Sequence, residues 1–403
     1  MGKKITRWEP VKEDKQGTNG VEPRLNKGVR TLVVDLSTRF GGASARALGL
    51  LTAFPGGETA LAGLAESPVT RQARALGIEV HVVGTWKADP ALLPKLIRTI
   101  KTHGFHLLDP QNIQSKVWCT LAAMGTGAAL VSTLNSWYES ELKGSFKGRF
   151  YQWLETMTAK QTDLYIVVSR DIRKRLLQKG IPKNRIAYIP NGVSIDLPLK
   201  SDPRKGLGKK FHLPDQAFVC CAVGRLVEAK GFHHLINAFA RISSPGICCL
   251  IVGDGHLRPA LLSQIRTAGL DHRVRLAGHQ DRKTVLELVN ASDLFVMPSL
   301  SEGTPLALLE AAALCRPIIA SRVGGIPEML AHKTHALLIP PGDEQRLARA
   351  IQHLHDHPQQ AETLARNACQ HVADHFGIKN QVRLTRNAYL KASRIMGNRK
   401  LSS

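Results

Sequence analysis

The stretch Pro298-Ser-Leu-Ser-Glu302-Gly-Thr-Pro305-Leu-Ala-Leu-Leu-Glu310-Ala-Ala-Ala sets two glutamates eight positions apart across what reads as a strand-to-helix turn. Ahead of it, Asp293-Leu-Phe-Val-Met-Pro298 is an apolar run short enough for a buried parallel strand. Gly303, Thr304 and Pro305 supply the turn, an N-cap hydroxyl and a proline for the first helical position, so a helix is expected from Leu306 to Leu314. Glu302 then lies on the loop leaving the strand's carboxyl end, and Glu310 about two turns into the helix. Ligands of open α/β sheets bind at such strand ends, and free N–H groups at a helix start favour an anion. A carboxylate beside them suits a ligand that carries both hydroxyls and phosphate. The plainer alternative makes both glutamates solvated surface groups. It is weak for Glu310, which Leu306, Leu309, Ala311, Ala312 and Ala313 surround with small or apolar side chains.

This segment resembles the E-x7-E signature of retaining GT-B glycosyltransferases, in particular the group 1 (GT4-like) family. Four further blocks are similar to that family's, in its order, over roughly residues 160–345. Tyr188-Ile-Pro-Asn191-Gly192-Val193-Ser-Ile-Asp196 resembles its interdomain segment. Val223-Gly224-Arg225-Leu226 through Lys230-Gly231 to Leu235-Ile236-Asn-Ala-Phe239 resembles its G-R-L-x-x-x-K-G-x-x-x-L-I-x-A-F block. Ile251-Val-Gly253-Asp254-Gly255 matches its V-G-D-G turn, and Val274-Arg-Leu-Ala-Gly278-His279 its loop beneath the nucleobase.

Composition is compatible with that family. A chain of 403 residues can hold two domains with full cores, and 43% hydrophobic content is ordinary for a globular protein. No apolar run approaches the ~18 residues that span a bilayer. The start Met-Gly-Lys-Lys-Ile-Thr-Arg has no apolar region behind its charges, so no secretory signal is expected. Seven cysteines include the adjacent pairs Cys220-Cys221 and Cys248-Cys249, both in strand-like runs. Neighbours in a strand point to opposite faces, so these pairs read as small core side chains, and a reducing cytoplasm is the expected compartment. The net charge of +23 points to a polyanionic partner, but aromatics are only 5% and no nucleic-acid motif is present. Between Lys143 and Arg185, eleven basic residues include a stretch interleaved with Phe146, Phe150, Tyr151, Trp153 and Leu154. That pattern suits interfacial docking on an anionic membrane, or equally a helix with buried aromatics.

Residues 1–28 are polar and aperiodic and read as a disordered tail. After them, strand-like and helical runs alternate through two halves, which implies parallel sheets with helices on both faces. The fold class expected is α/β, the GT-B fold of two Rossmann-like doubly wound domains facing a cleft. The boundaries expected are 29–198 for an acceptor-side domain, 199–378 for a nucleotide-sugar domain, and 379–403 for a helix crossing back. Pro198, Pro203, Gly206, Gly208 and Pro214 give the junction a linker composition.

The resemblance implies roles for individual residues. Arg225 and Lys230 match the phosphate clamp, whose cations would stabilise a departing diphosphate. Glu310 matches the ribose-binding carboxylate, and Glu302 the residue facing the donor sugar. Gly253, His279, Gly303, Thr304, Pro305 and Leu306 would line the donor, as would Gly41 and Gly42 in the first β–α loop. No D-x-D motif is present, so neither metal nor other cofactor is expected. The departures lie in the first domain. Leu108-Asp109-Pro110-Gln111-Asn112 stands where an H-x-H pattern is common, and Asn135 stands in the place of a histidine near the reaction centre. Asparagine can hydrogen-bond there but cannot hold a proton near pH 7. The activity implied is metal-independent, retaining hexosyl transfer from an NDP-sugar to a glycan or glycolipid acceptor of envelope biosynthesis, in the cytoplasm or peripherally on the inner membrane face. The alternatives are a catalytically impaired nucleotide-binding partner subunit and, further off, a GT-B sugar-nucleotide epimerase.

Overall fold

A computed structural model describes residues 29–135, 153–154, 157–194, 211, 214 and 216–401. Two all-parallel sheets organise them. The first contains β1 (Thr31–Asp35), β2 (Thr59–Leu64), β3 (Val80–Gly84), β4 (Leu107–Pro110), β5 (Ala129–Leu134), β6 (Leu164–Val167) and β7 (Ile186–Tyr188), in the order β3-β2-β1-β4-β5-β6-β7. The second contains β8 (Phe218–Val223), β9 (Ile247–Val252), β10 (Val274–Gly278), β11 (Leu294–Met297), β12 (Ile318–Ser321) and β13 (Leu337–Ile339), in the order β10-β9-β8-β11-β12-β13. Each order reverses once, between β1 and β4 and between β8 and β11. These are the topological switch points, where connections diverge to opposite faces and leave a crevice.

Alternation along the strands sorts the helices. In the first domain α1 (Gly42–Ala53) and α2 (Pro68–Ala75) cover Val33 and Leu61. On the opposite face, α3 (Leu92–His103) and α4 (Ile113–Thr126) cover Leu32, Val34, Leu108 and Leu130, and α5 (Arg170–Gln178) covers Leu134, Tyr165 and Val167. The second domain adds α6 (Phe232–Ala240), α7 (Arg258–Thr267), α8 (Arg282–Ala291), α9 (Leu306–Ala313), α10 (Ile326–Met329), α11 (Glu344–Asp356) and α12 (Pro358–His375). Then α13 (Ile378–Leu401) returns to the first domain, where Ala388, Tyr389 and Ala392 pack with Leu50, Leu107 and Val131. Arg386 pairs with Glu58 at 2.6 Å, and the Gly192 N–H donates to Gln381 Oε1 at 2.7 Å.

Cys220, Cys221, Cys248 and Cys249 are buried free thiols in β8 and β9, as strand alternation predicted. Burial pushes all four thiols up. A disulfide that the sequence reading did not anticipate joins Cys315, just past α9, to Cys369 on α12. The basic-aromatic stretch falls largely on residues 136–152, outside the described residues, as do residues 1–28 and most of the expected linker.

Candidate donor site

The loop from β8 to α6 is shaped by close backbone approaches. Gly253, at φ 141°, and Gly255 pack so tightly that a β-carbon on either would collide with the carbonyls of Gly224 and Leu226. Gly224 N–H donates to Val252 O at 3.0 Å, and Leu226 N–H to Asp254 O at 3.0 Å. Gly231, at φ 63°, turns the chain into α6 beneath the carbonyl of Pro298. The loop therefore lies pinned between the ends of β9 and β11, and carries Arg225 and Lys230 to the switch point.

Lys230 meets Glu302 there. Its Nζ donates to Glu302 Oε1 at 2.6 Å, and Ser299 Oγ donates to the same oxygen at 2.6 Å. The Glu302 side chain is only 7% exposed and that of Lys230 20%, so this is a shielded ion pair. Two of the sequence-predicted residues are thus brought into direct contact across 72 positions.

The helix after Glu302 begins differently from expectation. Thr304 is not the N-cap of α9. Pro305 occupies that position without a side-chain cap, and helical residues start at Leu306. The Thr304 hydroxyl reaches the first domain instead, donating to Val168 O, while Thr304 O accepts from Asn191 Nδ2 at 2.6 Å. Asn191 Oδ1 in turn accepts from Arg46 Nε at 2.8 Å. Interdomain bonding outcompetes local capping for this hydroxyl.

Gly303 sits against Asn135 so closely that a β-carbon on it would overlap the Asn135 carbonyl oxygen. Both amide atoms of the Asn135 side chain are buried without a hydrogen-bond partner, as are Nη1 and Nη2 of Arg46 and Oε1 of Gln111. These groups come from α1 and the carboxyl ends of β4 and β5. Buried polar groups are seldom left bare, so they mark a surface that accommodates water or a polar ligand. Gly41 and Gly42 open α1 at the same end of the sheet, with no protein atom within 4 Å of an added β-carbon at either. Packing does not demand glycine there, and a ligand has room to approach.

Glu310 lies on α9, 8% exposed, with Arg282 of α8 donating to its Oε1 at 3.1 Å through Nε and 3.0 Å through Nη2. Burial pushes its carboxyl above the usual range, and Arg282 opposes the rise. A ribose diol needs the ionised form as acceptor. Arg282→Ala should therefore shift the acid limb of nucleotide affinity to higher pH, while Glu310→Gln should weaken affinity at every pH. Calorimetric titration against pH checks both, and an unmoved limb in Arg282→Ala contradicts the pairing. His279 is exposed beyond β10, the sheet's edge strand, at the far end of the crevice.

Three residues here escaped the sequence reading. Arg282 carries no pattern of its own beyond following the N-cap Asp281. Glu328 accepts from the Arg170 N–H at 2.9 Å and from the Tyr188 hydroxyl at 3.0 Å, capping α5 across the domain boundary. Burial raises the Glu328 carboxyl, and burial next to Glu328 raises Tyr188. Asp109 is fully buried in β4, accepting from Thr133 Oγ1 at 2.8 Å and from Tyr389 of α13 at 2.7 Å. Where the family resemblance led one to look for histidines, this chain holds a carboxylate that anchors α13. Among the described residues, one trio could close on a metal, Glu79, His81 and His103. It lies on edge strand β3 and the end of α3, with Glu79 already held by Arg30 at 2.9 Å.

Two family profiles between them match most of the chain. "Glycosyltransferase Family 4" matches residues 41–197, and "Glycosyl transferases group 1" matches residues 205–371. The chain belongs to the group 1, GT4-like glycosyltransferase family and has the GT-B fold. It is similar to the alpha-D-kanosaminyltransferase of Streptomyces kanamyceticus, 27% identical over 54% of this chain and 57% of that protein. It is also similar to a glycogen synthase of Mycobacterium tuberculosis, 33% identical over 66% of this chain and 64% of that one. The matched region spans about half to two-thirds of these relatives' length. Among solved structures, Anabaena HepE in complex with UDP and glucose superposes with a TM-score of 0.79 at 23% identity, over 88% of this chain and 97% of that one.

Proposed function

We propose that this GT4-like chain transfers a hexosyl unit from an NDP-sugar to a glycan or glycolipid acceptor, with retention of anomeric configuration and without a metal. The observation that carries the reading is the Lys230–Glu302 pair at the β8/β11 switch point, next to Gly303, whose backbone lies against Asn135 of the first domain. An arriving diphosphate competes with Glu302 for Lys230, and Arg225 and the N-terminus of α9 add positive potential as the leaving group departs. Glu302, released toward the sugar, stabilises an oxocarbenium-like centre. Glu310 receives the ribose hydroxyls. The UDP and glucose held by Anabaena HepE, and the glycosyl-transfer names of the relatives, support a nucleotide-sugar donor.

The acceptor belongs to envelope polysaccharide or glycolipid synthesis, and the chain works in the cytoplasm against an anionic membrane. No helix among the described residues is long and apolar enough to cross a membrane. The second reading, a partner subunit that binds nucleotide without transferring sugar, draws on Asn135, which cannot carry a proton near pH 7. A thermal-shift screen of UDP-, GDP- and ADP-sugars, followed by NDP release with and without chelator, separates the two. Transfer predicts a stabilising donor that is slowly turned over in both conditions. Binding without turnover selects the partner subunit, and chelator-sensitive turnover contradicts metal independence.

A further inference from the structure

The large apolar side chains that this protein leaves in solvent are not scattered. Nine are exposed among the described residues, and eight of them belong to the first domain. Trp86 (56%) stands in the loop after β3, and Leu121 (44%) and Met124 (67%) on α4, the helix to which that loop is tied. Trp86 follows β3, on the cleft side of the sheet. Leu121 and Met124 are one turn apart on the outer side of α4, whose inner side, Cys119 and Ala122, fills the core. Trp118, one turn before Leu121, donates its indole N–H to Lys87 O at 3.0 Å and so ties the Trp86 loop to α4.

That loop is rigid by construction. Asp89 is 8% exposed, and it accepts from the Thr85 N–H at 2.9 Å, the Thr85 hydroxyl at 3.2 Å and the Ala91 N–H at 2.9 Å. These bonds hold its carboxyl below the usual range, beginning with the Thr85 N–H. Such a turn displays its tryptophan in a fixed place. An exposed indole in a loop bonded to a helix that exposes a leucine and a methionine is an unusual use of apolar surface unless something covers it.

Charge says what covers it. The adjoining α3, Leu-Leu-Pro-Lys-Leu-Ile-Arg-Thr-Ile-Lys-Thr-His, exposes Lys95, Arg98 and Lys101 and contains no acid, and α4 contains none either. Beyond them on the same face, α5 exposes Lys174 and Leu177, and its one acid, Asp171, is held by Arg175 at 2.9 Å. By contrast the opposite face, which α2 covers, exposes Leu76 and, at 37%, Val82 of β3, with no tryptophan. An apolar strip with an interfacial tryptophan, flanked by lysine and arginine, with Asp89 turned onto its own loop's N–H groups and Asp171 held by Arg175, matches the headgroup region of an anionic bilayer.

We propose that the α3–α4 face, through Trp86, Leu121 and Met124 with Lys87, Lys95, Arg98 and Lys101, is the surface on which this protein lies on anionic membrane. The proposal rests on the glycolipid-acceptor reading only for its purpose. Membrane binding and donor turnover are measured separately. The strip begins at the cleft rim, so docking there brings the acceptor-side domain's opening to the lipid surface.

The test is co-sedimentation of the full chain with phosphatidylcholine vesicles, with and without a third of phosphatidylglycerol, alongside tryptophan emission and analytical ultracentrifugation. The parent should partition onto anionic vesicles at low salt with a blue shift in emission, and the shift should disappear in Trp86→Phe. Trp86→Ser with Leu121→Ser and Met124→Ser should lower partitioning about tenfold. Lys95→Glu with Arg98→Glu and Lys101→Glu should lower it roughly 100-fold. All these side chains are exposed, so melting temperature and donor stabilisation should stay at parental values. Undiminished partitioning in both variants overturns the proposal and leaves docking to residues 143–185. Parental dimers that the apolar variant dissociates also overturn it, since a second copy then covers the strip.

Discussion

Lys230→Ala should lower donor turnover by about 10²–10³-fold, the loss of ~2–4 kcal/mol of transition-state stabilisation expected for one group aimed at developing charge. Lys230 has a second duty that complicates the number, because it neutralises a Glu302 carboxylate that is 7% exposed. Removing one partner of a shielded pair leaves an uncompensated charge, which destabilises the fold as well. The stability effect is isolated in the double variant Lys230→Ala/Glu302→Gln, in which the loss of Glu302 alone already lowers turnover. Glutamine there carries no charge, so the melting temperature should recover toward the parent while turnover stays low. Recovery of turnover together with stability would reduce Lys230 to a structural counter-ion. Arg225→Ala should likewise lose turnover, as expected for a second cation at the departing diphosphate.

Gly303→Ala should lower turnover by about 10²-fold while leaving nucleotide affinity within a few-fold. The added methyl meets the Asn135 carbonyl oxygen from the other domain, so the domains must part or the Glu302 loop must shift. A displacement near 1 Å at a reaction centre costs on that order. Nucleotide affinity is spared because Glu310, Arg225 and Lys230 all belong to the second domain. Steady-state kinetics with calorimetry read the split. Parental turnover would mean that the contact between Gly303 and Asn135 has no place in the working state.

Long apolar runs made most of the architecture readable in advance. The strands at 218–223, 247–252 and 294–297 stand where hydrophobic pattern alone put them. Two strands were not seen, for physical reasons. β2, Thr-Ala-Leu-Ala-Gly-Leu, has no β-branched residue beyond Thr59 and reads as helix or loop until its neighbours β1 and β3 are known. β7 is three residues long and lies inside a motif read for its Asn-Gly turn. At the site, the contacts of residues inside motifs could be expected, whereas Glu328, Arg282 and Asp109 act through partners 24 or more positions away. Thr304 shows the limit most plainly. Its local pattern is that of a cap, and a carbonyl supplied by Val168 overrides it.

Whether Lys230 and Glu302 form the donor centre of a retaining transferase is read by proton NMR of the sugar first released when the donor that stabilises the protein is left to turn over without acceptor. An α-linked donor should yield the α-hexose first, with the β-anomer growing in only by mutarotation, and Glu302→Gln should abolish the release while the nucleotide still binds. A β-hexose appearing first, or release undiminished in Glu302→Gln, would contradict it.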